Sequence, residues 1–251
     1  MRPAVLLALV AAAGCGTVQS PTTEPEVGPD ARVAMDAAAD AAADAPPEPA
    51  WTVDWEADGG FPDGDDCAPW VLHQAGDPAP ARPSIVGDHL QMATTADGQF
   101  LIYQHRAEVL TRPAVVVLEA RVRYATGNST SSRSGASIGF WFGGKGETVA
   151  IASDRIFLAS NATAAYRVAT SDRFHDLRLE TDLATEETAV SLDGAVVLRA
   201  TGLMTEASVA DVIGFGDGTG FAYATSEWQR VRHNAHRAAG CARGRALSGR
   251  P

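Results

Sequence analysis

Apolar and polar residues alternate along two stretches of this chain, and the alternation predicts half-buried β-strands. In a strand, successive side chains point to opposite faces, so a period of two separates a core face from a solvent face. Residues 174–182 show the pattern, with Leu177 and Leu179 on one face and Arg178 and Glu180 on the other. Residues 114–124 show it over a longer run, with Val116, Leu118, Ala120, Val122 and Tyr124 facing one way and Glu119, Arg121 and Arg123 the other.

A β-hairpin is predicted over residues 189–200. Asp193-Gly194 separates two short apolar runs there and accepts the positive φ angles that a tight two-residue turn requires. Residues 203–209 are compatible with one or two helical turns, but no segment has the pattern of a long amphipathic helix. Many short strands with regular turns predict an all-β fold, a two-sheet antiparallel jelly-roll sandwich over residues 51–234. Further strands are expected at residues 89–93, 100–104, 137–142, 148–152, 155–158, 166–169, 211–215 and 228–233.

The amino terminus has the pattern of a bacterial lipoprotein signal. A short apolar run ends in Ala12-Ala13-Gly14-Cys15, where small residues directly precede a cysteine. The signal with its lipobox spans residues 1–15. Processing would cut the chain directly before Cys15 and leave an acylated Cys15 as the first residue of the mature chain. The residue after the cysteine is Gly16 and not an aspartate, as in Gram-negative lipoproteins of the outer membrane. We therefore expect an exported protein that is lipid-anchored in the outer membrane. The alternative is an ordinary secretory signal with an incidental cysteine.

Residues 16–50 predict a disordered linker between the anchor and the folded domain. The segment is rich in Pro, Ala and Asp and has few large apolar groups, so it cannot bury enough surface to offset chain entropy. Residues 235–251 carry four arginines, no acidic residue and little apolar bulk, which predicts a frayed basic tail.

With Cys15 acylated, Cys67 and Cys241 remain as an even pair. An exported chain meets an oxidising compartment, and the two cysteines stand near opposite ends of the predicted domain, whose termini commonly lie close together. We therefore expect a disulfide between them; two unpaired thiols are the alternative.

The net charge excludes one class of partner. The chain carries 20 basic and 31 acidic residues, a net charge of −11, and loss of the leader removes only Arg2 and makes it −12. Such an acidic surface argues against nucleic acid as a partner and against direct adhesion to anionic lipid. The lipid anchor would then supply the contact with the membrane.

Several segments, taken in order, resemble the concanavalin A-like lectin/glucanase superfamily, especially its laminin-G-like jelly rolls. The strongest resemblance runs from residues 174–179 to the strand and Asp-Gly turn at 190–194. The resemblance implies a jelly-roll fold, which carries lectins, hydrolases and plain scaffolds alike. The other matching pieces are residues 86–92, 115–124, 137–143, 211–217 and 226–231.

No intact catalytic motif is present in the sequence. Glycosidases need two carboxyl groups flanking the scissile bond, and the nearest candidates are Glu180, Asp182 and Glu186. Laminarinase-like relatives place the second Glu two or three positions beyond the Asp, whereas Glu186 is four beyond it. The alternative is that these carboxylates belong to a solvated outer strand face. The sequence also contains no Gly-x-Ser-x-Gly motif, which would indicate a nucleophilic serine.

The best candidate for ligand binding is Trp141. Ile138, Phe140 and Phe142 share one face of its predicted strand, and Trp141 points the other way between Gly139 and Gly143. Glycines beside an indole ring would leave it uncovered, and an uncovered indole on a concave sheet is a stacking platform for a sugar ring. Burial of both strand faces is the alternative. Arg121 and Glu119 are expected to bond sugar hydroxyl groups if they lie on a neighbouring strand.

An acid-rich segment around Asp58, Asp63 and Asp65 is a candidate for a structural Ca²⁺ site, since calcium takes several oxygen ligands from flexible loops. The spacing matches no defined calcium loop, so solvated turns are the alternative, and no cofactor is otherwise expected.

Together these observations favour a surface-tethered, non-catalytic lipoprotein that recognises glycan or another extracytoplasmic partner, such as an envelope protein. The alternatives are a divergent carbohydrate-active hydrolase and a structural envelope lipoprotein without a small ligand.

Overall fold

The computed structural model describes residues 49–64, 70–129, 134–218 and 222–236. All of these except Pro49 belong to one compact unit. Several predictions rest on residues outside the described ranges: the leader with acylation of Cys15, the linker up to residue 48, the disulfide between Cys67 and Cys241, the basic tail from residue 237, and the part of the calcium site on Asp65.

Sixteen strands run through the described residues, together with two 3-10 helices of one turn each, Ala57–Gly59 and Pro62–Gly64. Neither helix is long and apolar enough to cross a membrane. The strands are β1 Val53–Glu56, β2 Val71–Ala75, β3 Ser84–Val86, β4 His89–Ala93, β5 Phe100–Arg106, β6 Val115–Gly127, β7 Ser137–Phe142, β8 Lys145–Ala152, β9 Arg155–Leu158, β10 Ala165–Arg167, β11 His175–Asp182, β12 Glu187–Leu192, β13 Ala195–Thr201, β14 Met204–Thr205, β15 Val212–Asp217 and β16 Ala224–His233.

The strands form two antiparallel sheets. The first sheet has the order β13-β12-β11-β6-β16-β4-β3, with β1 also paired to β16, and the second has the order β10-β9-β8-β7-β15-β5-β2, with β14 also paired to β8. The predicted all-β, two-sheet antiparallel jelly-roll sandwich is therefore confirmed. Strand β6 is the longest of those described, at 13 residues, and pairs with β11 on one side and β16 on the other.

The period-two patterns match the observed faces. In β6, Val116, Leu118, Ala120, Val122 and Tyr124 all belong to the core between the sheets. Strand β11 alternates buried and half-buried residues along its whole length. The hairpin between β12 and β13 turns at Asp193 and Gly194, whose φ angles of 50° and 84° are the positive values that the two-residue turn predicts.

The expected helical turn at residues 203–209 is wrong. Met204 and Thr205 instead form β14, which pairs with Gly146 and Lys145 at the start of β8. Two residues satisfy their backbone groups against a neighbouring strand more readily than in an isolated helical turn, whose nucleation is costly. Strand β8 also begins three residues earlier than the predicted 148, because this pairing and that with β7 extend it.

Aromatic side chains fill the middle of the core. Phe215 of β15 lies with its ring centroid 5.0 Å from that of Trp70 and 5.0 Å from that of Trp228. Trp55 stacks on it at 5.8 Å and Tyr103 at 5.6 Å. These rings come from both sheets, so their packing holds the sheets face to face.

The two ends of the described unit lie together. Val53 of β1 pairs with His233 of β16, and Thr52 both donates its amide to the His233 carbonyl and accepts the His236 amide on its hydroxyl. The first residues of the described unit are therefore held beside the end of its last strand.

Candidate functional site

Trp141 lies on the outer face of the second sheet. Ile138, Phe140 and Phe142, which alternate with it along β7, belong to the core between the sheets, and Trp141 points away from that core. Its cross-strand neighbours on the outer face are Val212 of β15 and Gly146 of β8.

A strip of small positions crosses the outer face beside Trp141. The next cross-strand row runs from Gln104 of β5 through Gly214 and Gly139 to Thr148 of β8. A methyl group added at Gly139 would lie 2.4 Å from the Thr148 hydroxyl oxygen, so a side chain does not fit there without displacement of its neighbour. The two adjacent glycines carry no side chains, although Thr148 and Ile102 approach them closely, and we call this strip of the outer face beside Trp141 the Trp141 trough.

The Trp141 ring is not uncovered, in contrast to the sequence-based expectation. Only 6% of the surface of Trp141 is exposed. One reason is that the ring packs flat against the neighbouring strand, where a methyl group added at Gly146 would lie 2.6 Å from Trp141 Cδ2. The indole Nε1–H is buried and has no hydrogen-bond acceptor in the described part of the chain. Ligand binding at Trp141 stays a prediction.

Arg121 and Glu119 do not lie beside Trp141, and that part of the predicted site is wrong. Both residues are on β6 of the first sheet, whereas Trp141 is on β7 of the second. The chain crosses from one sheet to the other between these consecutive strands, so the outer faces of β6 and β7 lie on opposite sides of the sandwich.

Arg121 and Glu119 belong to a network of ion pairs on the outer face of the first sheet. Arg121 donates from Nε to Gln229 Oε1 and from Nη1 to Asp176 Oδ2, each at 2.8 Å. Glu119 Oε1 accepts from Arg230 at 2.8 Å and from Arg232 at 2.7 Å. Glu119 is thus engaged below the surface, while Arg121 faces solvent.

Arg121 lies in an open groove of about 670 Å³ on that outer face, which we call the arginine groove. Its volume falls in the range of small-molecule sites. Three arginines, three aspartates and one aromatic ring face it. The lining residues are Arg121, Arg123, Asp172, Arg173, Phe174, Asp176, Asp193, Gly194 and Gln229.

His175, beneath the groove, orients two of its aspartates. His175 Nδ1 lies 2.9 Å from Asp193 Oδ2, and Nε2 lies 3.1 Å from Asp172 Oδ1. The hydrogen bond with His175 holds the pKa of the Asp172 carboxyl below its usual range. Asp172 is therefore ionised at neutral pH, whereas a catalytic acid would need a raised pKa.

Most of this groove has no signature in the sequence. Asp193 was assigned only a turn role, and Asp176, Phe174 and Gln229 carried no separate signal. Gln229 reaches Arg121 because the pairing of β16 with β6 shifts register between Trp228 and Arg230. An irregularity of that kind has no signature in the residue pattern.

The carboxylates considered for glycoside hydrolysis serve other partners. Glu180 Oε2 accepts from Arg178 at 3.0 Å, and Asp182 Oδ1 accepts the backbone amides of Ala184 and Thr185. Glu186 occupies the next hairpin turn with φ of 58° and binds Lys145. The solvated-face alternative accounts for all three.

Glu147 is a buried carboxyl that the sequence analysis did not single out. It pairs with Phe140 across the second sheet and shares its inward direction. Burial raises the pKa of Glu147 despite hydrogen bonds from Ser160 and the Thr148 amide. Its side chain is enclosed, so it cannot reach a sugar on either outer face.

The calcium candidates are separated and exposed. Asp58 lies in the first 3-10 helix and Asp63 in the second. Within the described ranges, no group of three or more His, Cys, Asp or Glu side chains is placed to hold a metal ion.

Solved structures with a similar chain path include two glucanases and a lectin domain. An endo-1,3-β-glucanase from Streptomyces sioyaensis is 13% identical, with a TM-score of 0.48 over 75% of this chain and 98% of that one. A prokaryotic β-1,3-1,4-glucanase (lichenase) from a mouse hindgut metagenome is 12% identical, with a TM-score of 0.45 over 72% and 98%. The carbohydrate recognition domain of Emp46p, in its potassium-bound form, is 12% identical, with a TM-score of 0.41 over 65% and 87%. No protein-family model and no curated protein matches the chain.

Proposed function

We propose that this chain is a lipid-anchored extracytoplasmic protein that binds glycan without hydrolysing it, with the Trp141 trough as its ligand site. The observation that carries the proposal is the buried indole Nε1–H of Trp141, which has no acceptor in the described residues. An unsatisfied buried donor costs about 1–3 kcal/mol, and such a group is commonly explained by a ligand or water. Because the Nε1 atom is covered, the indole must turn outward before a sugar hydroxyl oxygen can accept this hydrogen bond.

The surroundings of Trp141 support a sugar ring as the ligand. Gly139 and Gly214 leave backbone without side chains along one side of the indole, and Gln104 and Thr148 stand at the two ends of that row. An indole that turns outward from its covered position would present a flat apolar surface beside an amide and a hydroxyl group. Such a surface matches a pyranose, whose ring faces are apolar and whose edges carry hydroxyl groups.

The same face favours binding over hydrolysis. A retaining glycosidase places two carboxyl groups about 5 Å apart across the scissile bond. On the four central strands β5, β15, β7 and β8, none of the described outward positions carries Asp or Glu. Those positions are Phe100, Ile102, Gln104 and Arg106; Val212, Gly214 and Gly216; Ser137, Gly139 and Trp141; and Gly146, Thr148, Ala150 and Ala152.

The first test is a glycan array probed with the mature chain, which begins at Cys15, followed by titration calorimetry with the glycan that it selects. We expect Trp141→Ala to weaken binding at least 10-fold, since stacking and the Nε1–H bond are both lost. Trp141→Phe should lose about fivefold, because it retains the aromatic surface and lacks a single hydrogen bond of about 1 kcal/mol.

Trp51→Ala is the matched control, because Trp51 lies on the first sheet with Arg232 over its ring at 4.1 Å. Its affinity for the glycan should equal that of the wild type. Equal binding by Trp141→Ala and wild type would overturn the site, provided that both melt at the same temperature. If the wild type binds no glycan, the structural alternative is favoured, and release of shorter oligosaccharides would favour the hydrolase.

The anchor has a separate test. Intact-mass analysis of the protein extracted from membranes should find a chain that begins at Cys15 and carries the mass of its acyl groups. A Cys15→Ser variant should lack those groups and keep its leader. An unmodified leader on wild-type protein from the soluble fraction would contradict the lipoprotein assignment.

A further inference from the structure

We infer that the arginine groove is a second ligand site, which binds a sugar bearing a carboxylate group. This site lies on the outer face of the first sheet and shares no residue with the Trp141 trough. The inference rests on how the donors and acceptors of the groove are used within the chain.

The aspartates that face the groove are engaged by the protein itself. Asp193 Oδ1 accepts the Asp176 amide at 3.0 Å, and its Oδ2 accepts from Arg173 Nη2 at 2.8 Å while also facing His175. Asp176 Oδ2 accepts from Arg121 at 2.8 Å, and its Oδ1 lies 3.4 Å from Arg230 Nη2. Asp176 and Asp193 therefore keep little acceptor capacity for a ligand, whereas Asp172, which faces His175 through Oδ1, is 56% exposed.

The guanidinium groups, by contrast, keep free N–H donors. Within the described residues, Arg121 uses Nε and Nη1, Arg123 uses Nε and Nη2 on Glu227, and Arg173 uses Nη2. Each guanidinium has five N–H groups in a planar fork. The side chain of Arg121 is 41% exposed and that of Arg173 is 65% exposed, so the remaining donors face the groove and solvent. A site with surplus donors, in which two of the three carboxylates are engaged by the chain itself, fits an anion.

Geometry favours a carboxylate attached to an apolar-faced ring. A guanidinium fork matches the two oxygens of a carboxylate. Phe174 provides a half-buried ring in the same groove. Arg123 Cζ lies over this ring, 5.1 Å from its centroid, and the centroid of the tilted His89 ring lies 5.7 Å from it. The volume of about 670 Å³ leaves room for a sugar ring beside Phe174. A hexuronic acid residue combines both requirements.

The acidic surface of the rest of the chain does not prevent this binding. The net charge of −11 is spread over the whole sequence. At physiological ionic strength, charges on the surface are screened beyond about 8 Å. Within that distance the groove carries three arginines and three aspartates, so the inference rests on the unused N–H donors of the guanidinium groups and not on a net positive charge.

The test compares tri-galacturonate with its methyl ester by titration calorimetry on the mature chain. The ester keeps the sugar rings and loses the charges. We expect the wild type to bind the acid at least 10-fold more tightly than the ester, and Arg121→Gln and Arg173→Gln each to weaken binding of the acid at least 10-fold. Arg112→Gln is the matched control, since Arg112 is 52% exposed and pairs with Asp211 outside the groove. Its affinity should be unchanged.

Three results would overturn the inference. They are equal affinity for acid and ester, wild-type affinity in both Arg121→Gln and Arg173→Gln, and equally tight competition by inorganic phosphate, which would show recognition of an anion alone. Trp141→Ala should leave tri-galacturonate binding unchanged. That readout separates failure at this groove from failure of the proposed glycan site on the second sheet.

Discussion

Replacing Phe215 by alanine should lower the free energy of unfolding by about 3–5 kcal/mol, the range for deletion of a buried aromatic side chain. Phe215 is fully buried and touches four other aromatic rings, which come from both sheets. The cavity left by its ring would be lined by rigid tryptophans, which relax little into the space. Such a loss is a large part of the 5–15 kcal/mol by which domains are usually stable.

Urea unfolding followed by tryptophan fluorescence measures this change. Tyr166→Ala is the matched control, because Tyr166 is 40% exposed on β10, an edge strand, and should change stability by no more than about 0.5 kcal/mol. A loss of less than about 1.5 kcal/mol in Phe215→Ala would show that the aromatic cluster does not hold the sheets together as described.

Acidification below pH 6.5 should destabilise the protein, because His233 is buried in its neutral form. Burial, together with the charges of His105 and His236, holds the pKa of His233 well below its usual 6.5. Above pH 6.5 the folded and unfolded states both carry neutral His233. Below pH 6.5 the unfolded chain binds a proton that the folded chain cannot, so the free energy of unfolding falls by up to about 1.4 kcal/mol per pH unit.

The contacts of His233 explain why it resists protonation. The Ala235 amide donates to His233 Nδ1 at 3.2 Å, so the neutral ring carries its proton on Nε2 and donates it to His105 Nδ1 at 2.8 Å. A second proton would displace the Ala235 amide. Trp70 stacks on His105 at 3.8 Å, which keeps water from the pair.

Chemical unfolding at pH 7.5, 6.5, 5.5 and 4.5 measures the slope, and His233→Gln should flatten it. Glutamine offers a donor and an acceptor in the same region but has no proton to gain. Asp172, whose pKa lies below its ordinary 3.8, affects stability only at still lower pH. Glu147, whose pKa burial raises above its ordinary 4.5, opposes the His233 effect above pH 4.5, so the difference in slope between wild type and His233→Gln isolates the His233 contribution. An identical slope in wild type and His233→Gln would contradict the assignment.

Features set by neighbouring residues were predictable from the sequence. The inward and outward positions of β6 and β11 follow from a period of two, which any strand with one face on a core imposes on its own residues. The turn at Asp193 and Gly194 depends on two backbone conformations that these residues accept. Many short strands separated by regular turns were enough to indicate a two-sheet sandwich.

The sequence could not assign strands to sheets, because pairing joins residues far apart along the chain. Trp141 and Arg121 stand 20 positions apart, yet the crossing after β6 puts them on opposite sides of the sandwich. Strands β1 to β3 and β14 escaped prediction in a related way, since they are short and exist through their partners, as Val53 does through His233.

Both candidate sites depend on that same non-local pairing. The arginine groove forms only where β6, β11, β16 and the turn after β12 meet, and the Trp141 trough forms only where two glycines from β7 and β15 align. The residue order alone determined the charge, the alternating faces and the tight turn, and it predicts the leader, because each is a property of the residues themselves or of their immediate neighbours. The tertiary structure decided which side chains meet, because cross-strand contacts and burial arise only once distant segments pack together.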